Sequence, residues 1–374
     1  MVIGVNTRFL LKNKMEGFGW YTFETISRIV KNHPEHQFIF FFDRAYDEKF
    51  VFSDNVSPVV LRPPARHPIL FKIWFNYSIT AALKKYNCDG FISPDGYLSL
   101  RTSVPQLAVI HDLNFEHNPQ DIPTGALTYL KTYFPLFAQK ATRISTVSNF
   151  SKEDLVRTYN VTPTKIDVAY NGAANCFQPV SHQVKQETQK KYSNGQPFIL
   201  FVGALHKRKN IQRLLAAFDT IKSTTTHPQH LVIVGEKTWN NQHFQTPESI
   251  NEYVHYTGHI QLDELAKITA SADVMACVSY FEGFGIPLLE AMQAGTPVLA
   301  GNKTALPEIG SDAVHYCDPF SVEDIAKQLN HLLSNPTLLT DLAKKGRERA
   351  KAFSWNTTAE ELWKSFEKMM KEKG

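Results

Sequence analysis

Only four cysteines occur in 374 residues, at positions 88, 176, 277 and 317, and no two form a Cys-x-x-Cys pair. A disulfide framework and a zinc site are thereby excluded as organising devices. Buried free thiols are the expected state. No apolar run approaches the roughly 20 residues that a membrane helix needs. Candidates such as Phe38–Phe42 are strand-sized. The start, Met-Val-Ile-Gly-Val-Asn, turns polar too soon for a secretory signal, so a cytoplasmic location is expected. No Asp-x-Asp is present to hold a divalent ion against phosphates. No sequence repeat or low-complexity tract occurs. Charge of one sign is scarce too: 40 Lys and Arg face 36 Asp and Glu. The small surplus lies in residues 1–180, with 19 against 15, while residues 181–374 hold 21 of each. No basic helix or aromatic-basic ribonucleoprotein pattern points to nucleic acid.

What is abundant is apolar surface: 26 Phe, 14 Tyr and 5 Trp rule out large-scale disorder. The length suits two domains at roughly 100–200 residues each. Strand and helix patterns alternate. Strands read at 2–5, 37–42, 59–61, 90–93, 107–110 and 143–147, with helices near 70–86, 125–140 and 151–159. The polar stretch 182–195, after Asn171-Gly172-Ala-Ala-Asn-Cys-Phe-Gln-Pro179, reads as a domain connection. A second alternation follows, with strands at 198–202, 231–234, 273–279 and 296–300 and a last helix at 357–373. The expectation is an α/β protein of two doubly wound parallel-sheet domains, 1–180 and 196–355, with helix 356–374 returning to the first. Ligands of such sheets bind at the carboxyl ends of the strands.

The segment Ser279-Tyr-Phe-Glu282-Gly-Phe-Gly285-Ile-Pro287-Leu-Leu-Glu290-Ala-Met-Gln-Ala-Gly295 follows a strand and opens a helix. Pro287 suits the first helical turn and Gly295 the left-handed cap. Backbone N–H groups at Gly285, Ile286 and Leu288 would point out of the helix start, a ready anion site. Glu282 and Glu290 could accept hydrogen bonds from sugar hydroxyls on either side. The alternative is a capped helix with two solvated glutamates. A second loop, Gly203-Ala-Leu-His-Lys207-Arg208-Lys209-Asn210, follows strand 198–202, and Asn210 reads as the cap of the next helix. Arg208 and Lys209 could neutralise a diphosphate. Alone, this loop reads as a solvated basic turn. In the first half, His111 ends strand 107–110 and Gly17-Phe18-Gly19 precedes a helix. The mixed basic and aromatic stretch Pro63–Tyr77 reads either as helix core or as a membrane-surface contact for a lipid-linked acceptor.

Together these pieces resemble the retaining glycosyltransferases of family 4, which have the GT-B fold of two Rossmann-like domains facing across a cleft. The resemblance rests on Glu282-x7-Glu290, the loop Phe201-Val-Gly203…Arg208-Lys209-Asn210, and the shorter pieces 147–151, 170–172, 257–260 and 353–355. It is strong after Gly203 and looser before Val109. It implies that Glu290 binds ribose hydroxyls and Glu282 faces the donor sugar. Lys209, with Arg208, would hold the diphosphate, and Gly203, Gly285 and Ile286 would line it. Ile260 would lie against the nucleobase, His111 would contact the sugar, and Gly17 and Gly19 would approach diphosphate and acceptor. One departure is Ala204, where many members carry arginine.

The implied function is metal-independent transfer of a sugar, with a lean to mannose from GDP-mannose, to a hydroxyl of a glycan or lipid-linked glycan in bacterial surface polysaccharide synthesis. The nucleoside-diphosphate sugar is a substrate, and no cofactor is implied. The protein would work in the cytoplasm or peripherally at the inner membrane face. The alternatives are a nucleotide-sugar 2-epimerase of the same fold, a UDP-sugar-dependent transferase and a non-catalytic nucleotide-sugar-binding subunit.

Overall fold

The computed structural model describes residues 1–12, 15, 17–236 and 245–372. Residues 373 and 374 of the expected last helix lie outside these. The chain divides into unit 1, residues 1–171 with the chain from Trp355 onward, and unit 2, Gly172–Ser354.

Among the described residues, unit 1 holds seven parallel strands: β1 (Val2–Asn6), β2 (Gln37–Phe42), β3 (Val56–Val60), β4 (Gly90–Ser93), β5 (Gln106–Val109), β6 (Arg143–Thr146) and β7 (Ile166–Val168). They lie in the order β3-β2-β1-β4-β5-β6-β7. The described residues of unit 2 hold six: β8 (Phe198–Val202), β9 (His230–Val234), β10 (Val254–Gly258), β11 (Val274–Cys277), β12 (Val298–Gly301) and β13 (His315–Cys317). Their order is β10-β9-β8-β11-β12-β13. Each sheet therefore starts in the middle, builds outward, then jumps back across its first strand. This is the Rossmann order, and its switch points lie between β1 and β4 and between β8 and β11.

The strand sequences explain the burial. In β2, Phe38, Phe40 and Phe41 are fully buried, as a parallel strand covered on both faces requires. Each such ring contributes roughly 1.5–3 kcal/mol. In β8, Phe198, Ile199 and Leu200 are buried in the same way. The last helix, Trp355–Lys371, packs on the first helix, Gly17–Asn32. Its Trp363 stacks on His33 at 3.9 Å.

The unit boundaries differ from the expected ones. The polar stretch after Ser181 is a helix, His182–Tyr192, and it belongs to unit 2. Ser181 Oγ caps it by accepting from the Val184 N–H. Lys185 pairs with Asp273 and Lys191 with Glu264. Only Thr188 of this helix is buried, so no apolar stripe announced it. The crossings fall at 171/172 and 354/355.

Candidate functional site

At the switch point of unit 2, the loops after β8 and β11 lie side by side. Gly203 closes β8 with φ +145°, and the Lys209 alkyl chain passes it so closely that a Cβ there would sit 3.4 Å from Lys209 Cε. Residues Lys207–Lys209 form a short 3-10 turn. Asn210 follows with φ +64° and gives no side-chain cap to the helix Ile211–Thr224. This corrects its expected role. Its amide instead donates to Val278 O at 3.0 Å and Pro319 O at 2.6 Å, tying three loops together.

Glu282 is 6% exposed, not solvated. Its two oxygens take different cations: Oε2 lies 2.7 Å from Arg208 Nη1 and Oε1 2.7 Å from Lys209 Nζ. Arg208 also donates to Phe281 O at 3.1 Å. Burial pushes the Glu282 carboxyl up, but Arg208 and then Lys209 outweigh it and hold it at about 2. The Glu282 N–H donates to Thr304 Oγ1 at 3.0 Å, and Glu282 O accepts from the Ala305 N–H at 3.3 Å. Thr304 holds φ +57°, a left-handed conformation that costs a β-branched residue of order 1–2 kcal/mol. Nothing in the sequence marks Thr304, because its role arises only when β12 is laid beside β11.

Glu282 leads into the helix Ile286–Ala294. Gly285 precedes it with φ +97°, a backbone conformation that favours glycine, and a Cβ there would also have to displace the end of the Leu306 side chain, 2.6 Å away at Cδ2. Ile286 is the first helical residue, and its N–H has no partner within the helix. The Leu288 N–H, expected to be free, instead donates to Gly285 O at 3.0 Å. Glu290, one turn on, is half-buried. Desolvation pushes its carboxyl up to about 8, with Lys209 pulling weakly the other way. Cys277, at the end of β11, lines the same small cavity as Lys209, Glu282 and Gly285. Burial raises its thiol to about 12, so it is no nucleophile near neutral pH.

Lys209, Arg208, Glu282, Glu290, Gly203, Gly285 and Ile286 thus form one constellation. With Glu290 protonated, its two cations and one carboxylate leave a net charge of +1 beside a helix start. A net positive charge beside a helix start is the electrostatic setting that favours an anion. Ile260 stands apart, just beyond β10, the edge strand of the sheet.

In unit 1, His111 follows β5. Its Nε2 lies 2.8 Å from Pro94 O; a carbonyl only accepts, so Nε2 carries the proton and Nδ1 keeps its lone pair. Burial lowers the ring's pKa and favours the neutral form. Phe18 and Tyr21 stand edge-on to the ring at 4.9 and 4.7 Å. Gly17 and Gly19 are already in the first helical turn. A Cβ at Gly19 would meet Phe9 O at 2.6 Å, whereas one at Gly17 would meet nothing within 4 Å. Sequence reasoning missed the ion pair at this unit's switch point. Arg8 Nε donates to Asp95 Oδ2 at 2.6 Å, under the rings of Phe9, Phe71, Phe75 and Tyr97. Among the described residues no cluster of three or more His, Cys, Asp or Glu has metal-holding geometry.

Two family models divide the chain as the two units do. Residues 15–174 match Glycosyltransferase Family 4, and residues 183–349 match Glycosyl transferases group 1. The chain belongs to glycosyltransferase family 4. Among curated relatives of this glycosyltransferase, the O-antigen chain mannosyltransferase B of Escherichia coli is 25% identical over 359 residues, covering 92% of this chain and 94% of the relative. The MMP alpha-(1->4)-mannosyltransferase of Mycolicibacterium hassiacum is 28% identical over 236 residues, 62% of this chain and 55% of that one. Among solved structures, the sucrose-phosphate synthase of Thermosynechococcus elongatus superposes with a TM-score of 0.76 at 20% identity, covering 98% of each chain. Anabaena HepE in complex with UDP-glucose gives 0.76 at 16% identity, over 98% of this chain and 100% of the other. These likenesses identify the fold as GT-B.

Proposed function

We propose that this glycosyltransferase moves mannose from GDP-mannose, with retention and without a metal, to a hydroxyl of a glycan or lipid-linked glycan in bacterial surface polysaccharide synthesis, at the cytoplasmic face of the inner membrane. The observation that carries the donor reading is the surplus cation of the Arg208–Lys209–Glu282 group beside the Ile286 N–H. As the bond from the anomeric carbon to phosphate breaks, its electron pair stays on the diphosphate. Lys209, Arg208 and the Ile286 N–H meet that charge, so the protein itself supplies what a divalent ion would otherwise supply. The diphosphate draws the two cations from Glu282, which turns to the donor sugar. Glu290 accepts from the ribose hydroxyls, Ile260 lies against the base, and the His111 Nδ1 lone pair accepts from a sugar hydroxyl. The acceptor hydroxyl attacks from the face the phosphate leaves, and the departing phosphate takes its proton. The mannose lean is supported by the full-length likeness to an O-antigen mannosyltransferase. A UDP-sugar donor is the second reading, favoured by the fold shared with a UDP-glucose complex.

Nucleoside diphosphate release from GDP-mannose, UDP-glucose and UDP-N-acetylglucosamine, each with and without EDTA, tests the reading. GDP release that EDTA leaves unchanged is expected. Turnover of UDP-sugars alone overturns the donor, and loss with EDTA that manganese restores overturns the metal-independent site. The anomeric configuration of the product, read by NMR, tests retention.

A further inference from the structure

No acidic residue occurs between Asp54 and Asp89, nor between Asp121 and Glu153. The first stretch contains the consecutive helical segments Pro68–Ile73, Trp74–Ile79 and Thr80–Lys85, the middle one a π-helical turn. The second contains the helix Thr124–Lys140, which touches Pro68–Ile73. The inward side of 68–85 is core: Trp74, Phe75, Ile79 and Leu83 are buried. The aromatics of Pro63–Tyr77 thus divide between core and surface: Trp74 and Phe75 are buried, whereas Tyr77 is exposed. Ile69, Ile73 and Tyr77, spaced four apart on one stripe, are 65%, 36% and 54% exposed. Single exposed apolar side chains are ordinary, but an aligned row is not. Arg66, Lys72, Lys84 and Lys85, before and along the same helical segments, are exposed too, and the Arg101 guanidinium lies 4.5 Å over the Tyr77 ring. Among the described residues no helix is long and apolar enough to cross a membrane.

We propose that this face of unit 1 docks on a bilayer surface rich in anionic lipid. Ile69, Ile73 and Tyr77 enter the boundary between headgroups and acyl chains, and Arg66, Lys72, Lys84, Lys85 and Arg101 meet the lipid phosphates. The pairing of features selects the partner. A soluble polyanion would satisfy the cations but leave the isoleucine row in water, and a neutral apolar partner would leave five cations unmatched. A bilayer accepts both at once, with tyrosine at the level of the headgroups. This inference does not depend on which nucleotide sugar is the donor.

Co-sedimentation with vesicles of phosphatidylglycerol mixed with phosphatidylcholine, against phosphatidylcholine alone, tests it. The protein should pellet with the anionic vesicles only, and less as salt rises. Arg66→Gln with Lys72→Gln should weaken partitioning about 25-fold, from roughly fivefold per cation at an anionic surface. Ile69→Ser with Ile73→Ser should weaken it about tenfold or more, since each buried methylene adds to binding. Both pairs are exposed, so melting temperature and donor turnover in solution should stay at wild-type values. Wild type left in the supernatant, or isoleucine variants that pellet as wild type does, overturns the proposal. So does equal affinity for a single-stranded oligonucleotide. Vesicle binding without any donor turnover would instead count against the transferase reading alone.

Discussion

The two units place an ion pair at the same topological point, between the first strand of the sheet and the strand across the switch. In unit 1 it is Arg8 with Asp95, one cation to one carboxylate, with side chains only 4% and 2% exposed. In unit 2 it is Arg208 and Lys209 with Glu282, two cations to one carboxylate, and the cations remain 26% and 14% exposed. One shared strand order thus carries a closed, neutral, aromatic-roofed pair and an open group with charge to spare. The first holds loops together. The second is poised for an anion. Topology marks where a ligand can bind, but the charge balance at that place decides whether it is charged.

Breaking the closed pair should show the largest effect, and on stability. Arg8→Ala leaves Asp95 buried without its guanidinium, and losing one partner of a buried pair costs about 3–5 kcal/mol. Calorimetry should show unit 1 unfolding well before unit 2. Arg208→Ala should cost far less, because Glu282 keeps Lys209. Similar melting losses in the two variants would mean that the two ion pairs do not differ in kind.

Removing the spare charge should act on turnover instead. Lys209→Ala reduces unit 2 to one cation and one carboxylate, the balance of unit 1. A preorganised partner of transition-state charge is worth about 10²–10³ in rate. Turnover number should fall by that much, with weaker nucleoside diphosphate binding and a nearly unchanged melt.

The legible parts of this comparison were those written in consecutive residues. Gly203, Gly285, Pro287 and Gly295 sit where local backbone rules favour them, so both loops and the helix 286–294 could be read directly. Three strands could not: β7, β10 and β13 have only three to five residues, and each includes polar positions. The helix 182–192 buries a single threonine, so periodicity had nothing to register. The pairing of Glu282 with Arg208 and Lys209 spans more than 70 residues of chain and exists only once β8 and β11 adjoin. The same is true of Arg8 with Asp95. Position along a strand was visible, but partnership across a sheet was not.

The two glutamates of unit 2 sharpen the contrast within one helix start. The Glu282 carboxylate is favoured by the fold, so its stabilising contribution is present above the unfolded value near 4.5 and is lost as pH falls toward about 2. Glu290 has the opposite sign. The fold keeps its proton up to about 8, so stability falls as pH rises from about 4.5 to 8. Glu290→Gln should therefore melt like wild type near pH 5 and several degrees higher above pH 8. Its nucleotide affinity should fall by a charge-assisted bond, roughly 1.5–3 kcal/mol, only where wild type is ionised. Glu282→Gln should lose turnover yet bind nucleoside diphosphate as well as wild type or better, since both cations are freed. Calorimetric titration of both variants at two pH values checks this; equal affinity losses at both would show that the roles are not separate.

The smallest expected effect tests whether the edge of unit 1 meets a ligand through its glycines. Gly19 is bound by the fold: a methyl there would press on Phe9 O at 2.6 Å, and backbone does not yield cheaply. Gly19→Ala should lower stability by about 1–3 kcal/mol, the usual cost of overpacking, and lower turnover with it. Gly17 has open space around it and starts a helix, so the fold gives no reason for glycine. There alanine should raise stability slightly, by about 0.4–1 kcal/mol, through the less flexible unfolded chain. If the Gly17 backbone lies against diphosphate or acceptor, Gly17→Ala will raise KM or lower turnover while the melting temperature climbs. Stability and activity moving in opposite directions is a signature that no purely structural glycine produces. An alanine variant with wild-type kinetics would remove Gly17 from the site and leave His111, with its free Nδ1, as the remaining polar contact proposed for this edge.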